Sequence, residues 1–319
     1  MSSGSQPEPI VYVHDEFVPA SRAKLNIYDA GIVLGATVTE MLRTFKHKLY
    51  KTDEHLQRIG RALKYVRFDI GMSLADFAGI VSRVAVENAA LLHPDDELGV
   101  VIFVTAGEFP IYAGSAAGSA RLKPTVCVHS FPLPYELWAA KFETGLHLVT
   151  PSIRHVPPQC YDPKMKYRSR MHYYLGDQEA RLVAPDAAAL LLDLDGNVTE
   201  TGGANFLIVE DGAIVSPTTR NILPGISRAV VRELAGKLGI PFIERDFQVF
   251  NVINALEAFT STTPYCMLPV TRINGLPVGD GRPGPVFQRL LNAWSNEIGV
   301  DILNQFQSGA ARRQAAAAR

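Results

Sequence analysis

Two short stretches hold residue types that could share one chemistry. The first, PKMKYRSRM, contains Lys166; the second, NVTETGGANFLIV, contains Glu200. A lysine amine condenses with an aldehyde to a Schiff base, and a carboxylate can keep the nitrogen of a pyridine ring protonated so that the ring accepts electrons. Each stretch alone also has a plain structural reading. Lys164, Lys166, Arg168 and Arg170 form a basic run of the kind found on solvated loops, and Thr199-Glu200 reads as a strand end beside a turn.

The elements around these stretches can be read from their spacing. IVYVHDEFVPA has two apolar runs flanking His14-Asp15-Glu16, which predicts a hairpin, and GATVTEMLRTF reads as a strand with Arg43 and Leu42 on opposite faces. DEHLQRIGRALKYVRFDIG repeats apolar residues at Leu56, Ile59, Leu63 and Val66, a helix with Asp53 as its expected cap; Ser73 with Asp76 opens a second helix that Pro94 follows. LGVVIFVTAG and TVCVHSF predict buried strands joined by the loop AGSAAGSA. FPLPYELW is the linker candidate, and the proline-rich loop HVPPQCYDPKM places Lys166 at the junction with a helix expected from Tyr167 to about Val183. Asp195-Gly196 and Asp211-Gly212 mark hairpins, Pro224-Gly225 precedes a helix closed by Gly239, and LEAFTSTTPYCMLPVTRING supplies strands. A last helix is expected from roughly Pro285 to Phe306, then a low-complexity tail without a core-forming pattern.

At 319 residues and 47% hydrophobic, the chain is long enough for two domains with ample core. Its 31 basic and 32 acidic side chains nearly cancel, which argues against nucleic acid or an anionic membrane as a partner. Cys127, Cys160 and Cys266 are odd in number and widely spaced, so neither a disulfide framework nor a metal site is expected. No apolar run reaches ~18 residues and the N-terminus lacks a signal pattern, so a soluble cytoplasmic protein is the expectation.

Four features in chain order together resemble the class IV (fold type IV) pyridoxal-phosphate aminotransferases, a group that includes branched-chain and D-amino acid aminotransferases and aminodeoxychorismate lyases. They are Lys166 thirteen residues before Glu179-Ala180, VTETGGANFLI, LPGISR and TSTTPYCMLPV. The resemblance covers about residues 10–300. It implies an α+β fold of two domains: a small sandwich-like α/β domain at 10–130, a linker at 131–140, and a larger domain at 141–306 with a pseudo-barrel of strands. A disordered tail is expected at residues 307–319.

The resemblance also implies roles. Lys166 stands at the Schiff-base position with Lys164 as its rival, Glu200 faces the pyridine nitrogen, and Asn205 orients the neighbouring turn. Gly225, Ile226 and Ser227 at a helix start, Thr262, Thr263 and Arg58 hold the phosphate; the plain reading of Arg58 is a surface pair with Glu54. Arg43 is the candidate for a substrate anion, Thr39 replaces a common aromatic, and Arg154, Arg168 and Arg170 are weaker candidates. Three positions depart from the pattern. Thr201 replaces a glycine, the GEFPIYAGSAAG loop lacks the Arg-x-His of D-amino acid enzymes, and Ser169-Arg170-Met171 replaces the Asn-Tyr of branched-chain enzymes.

The implied reaction is a ping-pong transfer between an amino acid or amine and a 2-oxo acid. The alternatives are a lyase of the aminodeoxychorismate type and a non-catalytic binding protein on the same fold. A homodimer is implied, with the loop from Gly107 to Ser119 given to the partner's pocket.

Overall fold

Strand β3, Thr37–Phe45, sends alternate side chains into two different cores, and this alternation organises the N-terminal half. The computed structural model describes residues 7–112 and 123–318. The chain divides into one unit of Met1–Leu133 with Met165–Ser169, and a second of Pro134–Lys164 with Arg170–Arg319.

In the first unit, β1 (Ile10–Val13) and β2 (Glu16–Pro19) form the expected hairpin, with His14 and Asp15 in the left-handed conformation. The short helix α1 (Ala30–Val33) is capped by Asp29. After β3 come β4 (Lys48–Leu49), α2 (Thr52–Val66), α3 (Leu74–Ala89), β5 (Leu98–Thr105) and β6 (Thr125–Pro132). The strands make an antiparallel sheet ordered β2-β1-β6-β5-β3-β4. Val38 and Leu42 of β3 pack with Leu56, Ile59 and Leu63 of α2 and with Phe77 and Val81 of α3. Met41 joins Val11, Val101, Phe103 and Cys127 in a second cluster. The Ser73–Asp76 capping box forms as expected. Asp53 is not the cap of α2: Lys51 takes that position in the left-handed conformation, and Asp53 lies in the first turn, where its charge favours the helix dipole. The AGSAAGSA loop lies outside the described residues.

The face of β3 toward α2 also carries a buried charge cluster. Glu40 is fully buried and accepts from Arg58 Nε and Nη2, both at 2.7 Å, while His55 Nδ1 stands 3.2 Å away without hydrogen-bond alignment. Burial alone would raise the Glu40 carboxyl, but the nearby charges of Arg58 and His55 together with the Arg58 hydrogen bonds outweigh it and hold the group well below the usual carboxylate range. Burial pushes the His55 imidazole below its ordinary value while Glu40 pulls the other way, so Arg58 is the main counter-ion.

Residues 165–169 belong to this unit because they run along β3. Thr39 N donates to Lys166 O (2.8 Å), Arg168 N donates to Thr37 O (3.2 Å), and Val38 bridges Tyr167. The helix expected from Tyr167 therefore starts only at Met171: the residues before it are held extended by this pairing.

The second unit contains α4 (Lys141–Thr144), β7 (Leu146–Val149), α5 (Met171–Val183), β8 (Ala188–Leu192), β9 (Val198–Thr201), β10 (Asn205–Glu210) and β11 (Ala213–Ser216). There follow α6 (Ile226–Lys237), β12 (Phe242–Glu244), α7 (Val249–Ile253), β13 (Glu257–Thr262), β14 (Cys266–Ile273), β15 (Leu276–Pro277), α8 (Pro285–Ile298) and α9 (Ile302–Ala317). Strand β9 pairs with both β8 and β10, so β10-β13-β14-β7-β8-β9 closes on itself as the expected barrel of strands. Leu148, Leu190, Phe206, Ile208, Val270 and Ile273 share one core.

The C-terminus corrects two expectations. The single last helix is broken at Gly299, which adopts the left-handed conformation, and α9 restarts with Asp301 accepting from Asn304 N. The expected disordered tail is helix as far as Ala317. It docks through Phe306 on Tyr135, Trp138 and Phe142, and through Gly309, where an added Cβ would meet the Tyr135 ring at 2.2 Å. Small residues that looked featureless in sequence are what lets the helix approach that ring.

Glu40→Gln leaves Arg58 buried without its counter-ion, and is expected to lower the unfolding free energy by about 3–5 kcal/mol. The paired replacement Glu40→Met with Arg58→Met should cost less than Glu40→Gln alone. Urea denaturation of the three proteins checks both; a single-variant loss below about 1 kcal/mol would show a pair of surface strength.

Candidate active site

Glu200, one residue before the end of β9, lies directly opposite Asn205, which opens β10, and Asn205 in turn pairs with Ser261 on β13. Three neighbouring strands thus place three polar residues in one row. The Glu200 carboxylate is buried and collects donors: Asn205 Nδ2 at 2.8 Å on Oε2, and Tyr173 Oη at 3.1 Å and Leu223 N at 3.2 Å on Oε1. Asn205 Nδ2 also donates to Leu223 O at 2.9 Å. Since Glu200 and Leu223 O offer only acceptors, the orientation of the Asn205 amide is fixed by its partners.

The other end of that amide meets Gly225. A Cβ there would stand 2.0 Å from Asn205 Oδ1, so only glycine fits. Gly225 is the N-cap of α6 and supplies no side-chain cap, which leaves the first-turn amides of Ile226 and Ser227 at the positive end of the helix dipole. Ser227 is buried. Thr262 ends β13 with its hydroxyl donating to Gly203 O at 2.6 Å, and Thr263 follows in the turn to β14. Strand pairing, the Asn205 amide and the Thr262 bond therefore bring Glu200, Gly225 and Thr262 together within the second unit. Thr201 uses the hydroxyl that a glycine would lack: it donates to Ala204 O and accepts from Ala204 N, both at 3.0 Å, which tightens the turn after Glu200.

In the first unit, Lys166 sits opposite Thr39 at the edge of β3. Lys164 is an exposed side chain 3.9 Å from Asp162 in the second unit. Arg58 does not pair with Glu54, whose partner is Lys51; it is locked on Glu40. Arg43 is buried, with its guanidinium 3.8 Å from the centre of the Phe45 ring and Nε donating to Thr44 O. Thr39 Oγ1 donates to Ile102 O at 2.7 Å and accepts from Arg168 Nε at 3.3 Å, and the Arg168 guanidinium lies over Phe103. Burial lowers His129 below its ordinary value, with the Arg168 charge adding to the effect.

Three residues of these clusters escaped the sequence. Tyr173 could have been found, since with Gly176 and Ala180 it forms the buried face of α5. Glu40 lies on the α2 side of β3 by alternation, yet nothing along the chain pairs it with Arg58. His155 reaches Tyr173 from an irregular loop, with Nε2 2.9 Å from Oη, and left no local signal.

The chain matches a known protein family. Its model, amino-transferase class IV, matches residues 37–273. A branched-chain-amino-acid aminotransferase-like protein of Arabidopsis thaliana is 30% identical over 92% of this chain and 52% of its own, so the chain spans about half the length of that relative. A D-alanine aminotransferase of Staphylococcus haemolyticus is 28% identical over 90% of this chain and 97% of its own. The structure of a T.th. branched-chain amino acid aminotransferase with pyridoxamine 5′-phosphate superposes with a TM-score of 0.81 at 23% identity, covering 92% of this chain and 94% of that one.

Gly225→Ala forces Asn205 off Glu200 and is expected to destabilise the protein by about 1–3 kcal/mol. Asn205→Ala removes the obstructing amide, so the double variant should cost less than the sum of the two single changes. Denaturation of the set of four proteins measures the coupling; strict additivity would show that Gly225 and Asn205 do not meet.

Proposed function

Because the chain belongs to the class IV amino-transferase family, we propose that it is a pyridoxal 5′-phosphate-dependent aminotransferase acting between an amino acid or amine and a 2-oxo acid. The observation that carries this reading is the Glu200 cluster, a buried carboxylate fixed by an asparagine whose amide also abuts the uncapped start of a helix. The donor set fits the cofactor: a carboxylate for a ring nitrogen, first-turn amides and hydroxyls for a phosphate, and a lysine for an aldehyde. Pyridoxal phosphate, when bound, supplies the aldehyde that condenses with amines and the ring that withdraws electrons. Pyridoxamine 5′-phosphate in the T.th. aminotransferase structure supports the choice of cofactor.

In this reading Lys166 Nζ holds the group covalently and moves the proton on and off the substrate Cα. Glu200 binds the ring nitrogen and keeps its proton in place. Gly225, Ile226, Ser227, Thr262 and Thr263 bind the phosphate, with Arg58 as the cation that Glu40 orients. For the substrate, Thr39 is kept from the sequence reading and Arg168, which donates to it, takes the anion role. Arg43, the candidate read from the sequence, is packed on Phe45 with its Nε on Thr44 O and supports the strand instead.

A homodimer is proposed from α5, where Met171, Tyr174 and Leu182 are 67%, 59% and 87% exposed at helical spacing on one face. The loop proposed for the partner's pocket, Gly107 to Ser119, is described only as far as Tyr112. No helix among the described residues is long and apolar enough to cross a membrane. The free thiols of Cys127, Cys160 and Cys266 favour a reducing cytoplasm as the setting.

Purified protein with pyridoxal phosphate should show a visible absorption band that Lys166→Ala abolishes, and one class of L-amino acid, D-amino acid or amine should bleach it. A band of equal strength in Lys166→Ala would remove the lysine from its role, and pyruvate release without a 2-oxo acid would make the enzyme a lyase. Sedimentation should give a dimer that Tyr174→Glu with Leu182→Glu dissociates; a dimer unchanged by that variant would place the interface elsewhere.

A further inference from the structure

We infer that the buried network of Glu200, Tyr173 and His155 holds one proton more than these side chains carry as an ionised carboxylate, a phenol and a neutral imidazole, and that His155 stores it. His155 is then a positioning residue, acting on the charge of Glu200 through Tyr173.

The proton count follows from which atoms can donate. The Val156 carbonyl only accepts, so His155 Nδ1, 2.9 Å away, carries a hydrogen. Tyr173 has one hydroxyl hydrogen to share between Glu200 Oε1 at 3.1 Å and His155 Nε2 at 2.9 Å. If that hydrogen goes to Glu200, His155 Nε2 must itself donate to the phenol oxygen, and the ring is an imidazolium. If it goes to His155, Glu200 must carry a proton to donate back. Both arrangements contain the additional proton. Without it, one of the two contacts sets lone pair against lone pair in a buried site, a costly state.

The surroundings choose between the two arrangements. Tyr173, Leu223 N and Asn205 Nδ2 all donate to Glu200, the pattern suited to a carboxylate. His155 Nε2 lies 3.8 Å from Glu200 Oε1, so the imidazolium and the carboxylate balance each other. Both residues are buried. His172 of α5 also faces His155, with ring centres 5.6 Å apart. Burial first, then the charges of His155 and Arg170, push His172 down to about 4, so it adds no second positive charge at neutral pH. The remaining polar contact to His155 is its own amide on Leu192 O of β8.

The two arrangements interconvert by a paired shift. The Nε2 proton passes to the phenol oxygen as the phenol proton passes to Glu200 Oε1; one N–H and one O–H bond break, two O–H bonds form, and the positive charge leaves His155. With Glu200 as the carboxylate that binds the cofactor's ring nitrogen, the network can supply that proton from within. This consequence rests on the proposed function, whereas the proton count does not.

The full chain labelled with 15N-histidine, without added cofactor at pH 7, tests the count. His155, assigned by the signal lost in His155→Gln, should show both ring nitrogens in the protonated range with a bound proton on each. Tyr173→Phe should leave the proton on Nδ1 alone. A bare Nε2 in the unsubstituted protein overturns the inference, and that spectrum decides even if Tyr173→Phe does not fold. His155→Gln keeps a donor for Tyr173 but stores no proton. It should therefore take up more protons than the unsubstituted protein on binding pyridoxal phosphate, read by calorimetry in buffers of different ionisation heat. Equal uptake would overturn the store. Failure of both proteins to bind pyridoxal phosphate would instead sink the functional reading, leaving the proton count to the nitrogen spectra.

Discussion

The second unit depends on what one primary amide can do in a buried place. The two hydrogens of Asn205 Nδ2 bridge Glu200 Oε2 and the carbonyl of Leu223, and its oxygen presses on the position where Gly225 lacks a side chain. A strand residue, a carboxylate and a helix entry are thereby referred to one group. Any rotation of that amide would set oxygen against oxygen at two partners, so its orientation is locked by cost. The closed barrel supplies the rigidity behind it, because β9 and β10 each have neighbours on both sides and cannot splay.

The first unit solves its positioning problem differently. Lys166 is set by main-chain pairing, which specifies register independently of side-chain identity, and a one-residue slip would turn it to the opposite face. Arg58 is set by charge. Glu40 takes two of its nitrogens in a forked contact that fixes the guanidinium plane as well as its place. A lysine at that position could neutralise Glu40 but could not reproduce the fork.

How much of this was legible in the sequence differs by interaction range. Hairpins at Asp15 and Asp211, the Ser73 cap and the strand at Thr37–Phe45 were readable because the signals are local: turn residues, capping spacing and alternation. The start of α5 was misplaced because Tyr167 obeys a partner far away in the chain, and the tail was misjudged because alanine and glycine reveal their use only where a ring such as Tyr135 lies against them. The segments bearing Lys166, Glu200 and Gly225 stood out by their resemblance to a family. Glu40, Tyr173 and His155 did not, since each acts through a group from another element and pattern along the chain carries no record of such pairings.

The lodging of residues 165–169 on β3 also bears on how the protein is made. Thr39 and Arg168 are 129 positions apart. A ribosome that has finished Leu133 has synthesised all of the first unit except residues 165–169, so its sheet still lacks the segment that completes the edge of β3. That edge stays open while the chain runs on into the other unit, and closes only when Lys166 has emerged. Long-range pairing of this kind is slow, and unpaired strand edges are where nascent chains meet one another. The last strand-like piece added to the first unit is thus the one that carries Lys166, so the pairing that sets the register of that lysine forms only after the second unit has begun.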